Sequence, residues 1–248
     1  DAQNFSPNAT TFNIEGQVTI PTETSTGTAS WIANEGDAFV ESDPAFGQLT
    51  LTPHRAGTLT QISDELLQDA VVNLEAFVAS NMGRKFALLL EDAFVNGNGV
   101  NQPTGVTDGS ALGVTAAGAA AVTFDEVQDL FYSLKESYRQ NGQWLMSTTV
   151  VAALRQLTYA GGTQSYIWEP NMAVGSPDTI LGRPVVISDS ANAMTTGLKP
   201  ILFGDLSYYY VAYNAGVSIQ RLDELYAANG LVGIRGSLRV DGKLTQSE

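Results

Sequence analysis

The chain has 248 residues, 44% of them hydrophobic, no cysteine and one histidine, and its 12 Lys and Arg against 26 Asp and Glu give a net charge of −14. Charged residues make up only 15% of it, below the about 25% of an average soluble domain, so the acidity comes from a shortage of bases. This balance excludes a protein that holds nucleic acid by neutralising phosphates; the missing cysteines exclude disulfide frameworks, thiol nucleophiles and cysteine metal sites, and one histidine excludes a multi-histidine site.

The sequence begins Asp1-Ala2-Gln3, without a Met or a charged-then-apolar leader, and reads as a processed product or an engineered fragment. Residues 1–60 carry seven acids and one base, Arg55, and are rich in Thr, Ser, Gly and Asn. Two short alternating stretches, Gln17 to Ile20 and Gln48 to Thr52, read as strands. The long polar connection between them, through Gly27, Gly36, Pro44 and Gly47, reads as the tip of a two-stranded arm.

Residues 63–96 carry the clearest helical pattern. Ser63 is placed to cap it, Asp64 and Glu65 suit its first turn, and Leu67, Ala70/Val71, Leu74, Phe77/Val78, Phe86, Leu89/Leu90 and Ala93/Phe94 make a buried stripe. One helix over this span is roughly 45–50 Å long. Gly83 weakens it midway, and Asn96-Gly97-Asn98-Gly99 ends it. The stretch from Ala111 to Val122 is too short and too rich in Gly and Thr to cross a bilayer, and no membrane partner is expected. Thr123-Phe124-Asp125-Glu126 is a capping box that opens a helix through Tyr138. A strand over Trp144 to Met146 and a helix at about 149–158 follow, then a turn at Gly161-Gly162. Four further strands, at Pro184 to Ile187, Ile201 to Gly204, Tyr208 to Val211 and Val217 to Gln220, read as one mixed sheet, with another strand from Val232 to Val240.

Little of this points to catalysis. His54 lies between Pro53 and Arg55 at the end of the arm, as an exposed or hinge-lining residue. Gly97-Asn98-Gly99 follows a helix and lacks the third glycine of a dinucleotide fingerprint, so it reads as a turn. The acid pairs Glu35/Asp37, Glu41/Asp43, Glu91/Asp92 and Asp125/Glu126 have the residue types for acid–base hydrolysis. Capping accounts for the last pair, and Glu91/Asp92 fit the solvated flank of the long helix. No calcium loop is present, and no cofactor or metal is expected.

A set of ordered segments runs from Glu41-Ser42-Asp43-Pro44-Ala45-Phe46-Gly47-Gln48-Leu49-Thr50-Leu51-Thr52-Pro53, through Ile62-Ser63-Asp64-Glu65-Leu66-Leu67-Gln68-Asp69, to Glu91-Asp92-Ala93-Phe94-Val95-Asn96-Gly97-Asn98-Gly99. It continues with Gln102-Pro103-Thr104-Gly105-Val106, Pro177-Asp178-Thr179-Ile180-Leu181-Gly182-Arg183-Pro184-Val185-Val186, Ile201-Leu202-Phe203-Gly204-Asp205 and Arg239-Val240-Asp241-Gly242-Lys243. Together these resemble the major capsid proteins of tailed bacteriophages with the Hong Kong 97 fold, from about Val18 to Lys243.

The resemblance implies an α+β chain: a residual N-terminal arm (1–13), an E-loop (14–56) reaching over a neighbouring subunit, a peripheral domain (57–123) with a spine helix (63–96), an axial domain (124–224), and a return strand with the C-terminal tail (225–248). It implies a structural role, with copies forming hexamers and pentamers that close into an icosahedral head around double-stranded DNA in the virion, assembled in the host bacterial cytoplasm. The implied partners are other copies and decoration, portal and scaffolding proteins, with packaged DNA contacted only weakly. Trp31, Phe39, Glu41, Asp43, Phe46, His54 and Arg55 are the expected inter-subunit contacts, since aromatic anchors dominate interfaces. All four lysines, Lys85, Lys135, Lys199 and Lys243, lie outside residues 1–60, so the E-loop lysine crosslink of some relatives is not expected. Encapsulin nanocompartments share the fold and enclose enzyme cargo, which is one alternative; an acid-pair hydrolase is the other.

Overall fold

The computed structural model describes residues 8–25, 27–31, 39, 41–69, 73–118, 121–157, 168 and 178–247. The first half of the chain forms β1 (Thr10–Asn13), β2 (Val18–Ser25), β3 (Ala45–Leu51), β4 (His54–Ser63), α1 (Asp64–Asp69), α2 (Leu74–Asn96) and α3 (Val106–Gly109). The second half forms α4 (Phe124–Ser133), α5 (Glu136–Arg139), β5 (Gln143–Met146), α6 (Thr148–Arg155), β6 (Thr179–Ile180), β7 (Arg183–Ile187), β8 (Ile201–Gly204), β9 (Tyr209–Tyr213), β10 (Ser218–Leu222) and β11 (Leu231–Leu244). Among the described residues the strands make three sheets.

The largest is organised by β11. Its first ten residues pair antiparallel with β4, from Leu231↔Ser63 to Val240↔His54, while β10 pairs on its other side. From Val240 to Leu244 it pairs antiparallel with β9, which in turn carries β1 in parallel. Alternation fixes its faces: Ile234, Gly236, Leu238 and Val240 are buried, while Arg235 and Arg239 are exposed. Helix α2 covers the buried face. Phe86, Leu90 and Phe94, each four residues apart, join Leu238, Val240, Tyr209 and Val211 in one core, and Met82 packs with Ile62 and Ile234. A β-carbon on Gly236 would lie 2.8 Å from the Phe86 ring, so the missing side chain lets the helix sit close on the strand.

The helical span expected over 63–96 is divided. Ser63 accepts from the Leu66 amide at the start of α1, but α2 begins afresh after Asn73, whose extended backbone and side-chain oxygen, bonded to the Ala76 amide at 3.0 Å, make it an N-cap. Periodicity treats Asn73 as an interior position, whereas asparagine is among the best residues for starting a helix. Gly83 is accommodated inside α2, while Phe77 and Leu89, expected in the buried stripe, are 65% and 51% exposed. Ala70 and Val71 lie outside the described residues.

The second sheet has the order β6-β7-β5-β8. β5 and β7 are parallel and the other pairs antiparallel. Trp144, Met146, Val150, Leu154, Ile180 and Val127 form its core, and the Trp144 indole N–H donates to the Ile180 carbonyl at 3.0 Å. The capping box opens α4 as the sequence indicates: the Thr123 hydroxyl accepts from the Glu126 amide while Glu126 accepts from the Thr123 amide. The helix ends at Ser133, because Leu134 is extended, and resumes only as the short α5. The strands read as one mixed sheet therefore divide between two, β7 and β8 here and β9, β10 and β11 in the larger one. The turn expected at Gly161-Gly162 and the residue Pro177 lie outside the described residues.

The third sheet is β2 and β3 alone, antiparallel from Val18↔Leu51 to Ser25↔Ala45. Neither strand has a second partner strand among the described residues.

Candidate assembly surfaces

The two-stranded arm grows from a fixed root. The carboxylate of Asp241, 1% exposed, accepts from the Thr52 amide at 2.7 Å and from the Gly242 amide at 2.8 Å. Lys243, two residues on, donates to the Thr50 carbonyl at 2.8 Å. Leu51 between them is 1% exposed. Both bonds are charge-assisted, the stronger kind, so β11 holds the arm at two successive points on one side of β3.

The same stretch of β11 seats the loop after α2. The Thr104 amide donates to the Gly242 carbonyl at 2.9 Å, and the Tyr209 hydroxyl donates to the Thr104 carbonyl at 2.8 Å. A β-carbon on Gly242 would stand 2.4 Å from the Tyr209 oxygen, so only glycine leaves room for that ring. Gly97 is equally constrained, since its β-carbon would meet the Pro103 oxygen at 2.2 Å. Gly97-Asn98-Gly99, Pro103-Thr104-Gly105 and Asp241-Gly242-Lys243 thus meet at the junction of α2, the large sheet and the arm. Burial pushes the Tyr209 hydroxyl well above the usual phenol range, helped by the nearby negative charge of Asp241 and by Tyr213.

Away from its root the arm is open. Trp31, Phe39 and Phe46 are exposed to 102%, 84% and 71%. Glu41 and Asp43 are exposed as well. Near the tip, Ser42 accepts from the Thr28 amide at 2.8 Å, joining the two sides. His54 and Arg55 lie instead on β4: His54 is half-buried opposite Val240, and Arg55 is exposed opposite Arg239. The structure therefore separates the seven candidate contact residues into five on the arm and two on the large sheet. Sequence reasoning missed Asp241, Lys243, Arg235 and Arg239. Alternation within β11 was the one available signal, marking Arg235 and Arg239 as a single outward face.

Among the described residues, Glu91 and Glu126 of the acid pairs are engaged in structural hydrogen bonds. Glu91 is buried, not on a solvated flank, and accepts from the Ser188 hydroxyl at 2.6 Å; Asp92 is exposed. The Asn96 amide reaches the Ser190 carbonyl at 2.5 Å, so α2 meets the loop after β7 at both residues. Glu126 is occupied by the Thr123 and Ala117 amides, each at 2.7 Å, and these two bonds hold its carboxyl below the usual range. Glu35/Asp37 lie outside the described residues. Among the described residues no group of three or more His, Asp or Glu is placed to hold a metal, and no helix is long and apolar enough to cross a membrane.

Helix α2 laid on the large β-sheet, a second α/β region and a two-stranded arm together make a capsid-type fold. Residues 8–248 match the family model described as the phage capsid family, and the chain belongs to that family. It is 26% identical over 225 residues to the major capsid protein of Halomonas phage phiHAP-1, covering 88% of this chain and 35% of that protein. The chain thus spans about a third of the length of that curated relative. Among solved structures it is similar to the capsid of a native GTA particle, with 24% identity, a TM-score of 0.88, and coverage of 98% of this chain and 86% of that one. The capsid of an empty GTA particle gives 25% identity, a TM-score of 0.87 and coverage of 99% and 87%. Microbacterium phage Oxtober96 gives 17% identity, a TM-score of 0.77 and coverage of 98% and 85%. These are capsid structures of the Hong Kong 97 type, and the α+β fold of this chain is theirs.

Proposed function

We propose that this chain is a non-catalytic shell subunit, whose copies associate as hexamers and pentamers and close into the icosahedral head of a tailed phage. The observation that carries the proposal is the arm. A two-stranded ribbon with no further strand partner among the described residues exposes Trp31, Phe39 and Phe46, and one subunit gains nothing by holding such residues in water. On a neighbouring subunit they become buried anchors. The pinned root supports the same reading, because an arm that reaches a neighbour needs a defined exit angle.

Assembly takes place in the host cytoplasm, with portal, scaffolding and decoration proteins as further partners. Double-stranded DNA fills the shell and is contacted weakly, in keeping with a net charge of −14. The peripheral and axial division of the sequence stands as part of this proposal with one adjustment. Residues 209–222 go with β11, because β9 and β10 pair with it. Electron microscopy of particles made from the chain tests the reading: capsomers or closed shells are expected. A protein that stays monomeric with its phage partners supplied contradicts it.

A further inference from the structure

We propose that the open edge of β8, with the cavity beside it, receives an extended segment of a partner protein as an additional strand of the second sheet. The segment that fits is uncharged and carries apolar side chains. This site does not involve the arm, and its occupation does not depend on shell formation.

The second sheet ends at β8. This strand pairs antiparallel with β5, from Met146↔Ile201 to Gln143↔Gly204, and has no strand on its other side among the described residues. In such a pair alternate residues turn both N–H and C=O away from the neighbouring strand, so half of β8 offers its backbone outward. Among the described residues these groups meet no backbone donor or acceptor. Proteins protect an open edge with charges, proline or a bulge, and Ile201-Leu202-Phe203-Gly204 carries none of these. All four residues line a cavity of about 1040 Å³. Successive side chains of a strand point to opposite faces: Leu202 joins the core that contains Leu145, while Ile201 and Phe203 join the core that contains Trp144. A space that touches both sets wraps the free edge of β8 and lies between the two cores.

The far wall of the cavity includes Leu112, Val114 and Leu130. Its loop is bonded at both ends. Lys199 Nζ donates to the Thr107 and Ser110 carbonyls at 2.8 and 2.6 Å, and the Ala117 amide donates to Glu126 at 2.7 Å. These bonds hold the loop in place across the gap. The charged residues lining the cavity are Glu126, Lys135, Lys199 and Asp205. Asp205 accepts from the Ser207 amide at 2.9 Å, and Lys135 is engaged as well, so each is already bonded within the chain. The space therefore asks for an uncharged occupant, and the backbone groups spaced along its edge are matched by another extended backbone. A polypeptide meets both demands, which a hydrocarbon chain does not. Every described strand of this chain is already paired in its own sheet, so the segment comes from a different protein and not from a second copy.

The capped peptide acetyl-Thr-Val-Thr-Val-Thr-Val-amide is the probe, and amide exchange on the full chain is the readout. Saturating peptide is expected to slow exchange within residues 201–204 by about tenfold or more. The same peptide with Glu in place of each Val is expected to give no protection. Gly204→Glu places a charge where an added β-carbon meets nothing within 4 Å, and is expected to abolish the peptide's effect, while Gly204→Ala retains it. No protection from the Val peptide, or equal protection from the Glu peptide, overturns the proposal. Equal protection by 1-dodecanol assigns the cavity to an apolar small molecule and overturns it too. Slow exchange at residues 201–204 in assembled particles without peptide, and not in free subunits, gives the edge to a second copy, with the same consequence.

Discussion

The buried carboxylate of Asp241 accepts the backbone amide of Thr52 at 2.7 Å, tying the C-terminal strand to the base of an arm 189 positions earlier in the sequence. Replacing it with asparagine keeps the shape but removes the charge and shares one oxygen between two amides. Asp241→Asn is expected to cost about 1.5–3 kcal/mol, the range for a hydrogen bond to a charged group. Thermal unfolding reads the loss, and amide exchange should show faster opening at Thr52 than in the core of β11. Unchanged exchange at Thr52 would show that the arm is held elsewhere.

Gly242 leaves space for the Tyr209 ring, whose oxygen would stand 2.4 Å from an added β-carbon. Gly242→Ala is expected to destabilise by about 1–3 kcal/mol, as overpacking typically does, measured by chemical denaturation. Adding Tyr209→Phe relieves only part of this, because the ring carbons themselves lie at 2.9 and 3.1 Å. Full recovery in the double variant would assign the whole cost to the hydroxyl.

Tyr209 also sets an alkaline limit. Its folded-state pKa is raised, chiefly by burial, with Asp241 and Tyr213 contributing in the same direction. The unfolded chain therefore loses this proton first as pH rises. The stability linked to the neutral phenol is complete below about pH 10 and falls steadily above it. Stability measured from pH 8 to 11 should decline less in Tyr209→Phe than in the unmodified chain. Parallel declines would show that other groups set the limit.

Glu126 sets an acid limit of the opposite sign. The Thr123 and Ala117 amides hold its carboxyl below the usual range, so its contribution is present above the ordinary carboxylate pKa and lost as pH falls through the lowered value. The bond to Ala117 ties the loop of residues 110–118 to α4 along a cavity of about 1040 Å³ lined by Leu130, Leu145 and Phe203. Glu126→Gln is expected to lower amide protection in that loop at neutral pH, and to leave the protection, corrected for the intrinsic pH dependence of exchange, insensitive to acidification between pH 5 and 3. An unchanged acid response in the variant would contradict this.

The local features of the chain were legible in its sequence, and the long-range ones were not. The capping box at Thr123 and the strand from Ile201 to Gly204 follow from short-range chemistry and stand where the pattern puts them. β4 carries an alternation, Leu59, Gln61 and Arg55 out against Thr58, Thr60 and Ile62 in, but mostly with polar residues on both faces, so hydrophobic contrast does not reveal it. β1 is only four residues long and exists because β9 accepts it in parallel, nearly 200 positions away. The arm was readable as an oddity, a polar stretch too long for a loop. Its anchoring by Asp241 and Lys243 was not, because a carboxylate in a strand reads as solvent-facing until its distant partners are known.

Deletion of residues 25–47 from the chain, followed by sedimentation and electron microscopy, tests the central claim most directly. The account predicts a folded protein with unfolding as cooperative as that of the unmodified chain, since the large sheet and all three cores lie outside the deletion. It predicts few or no closed shells. A deleted chain that still builds shells in normal yield would contradict the account, because the arm would then not be what joins the subunits.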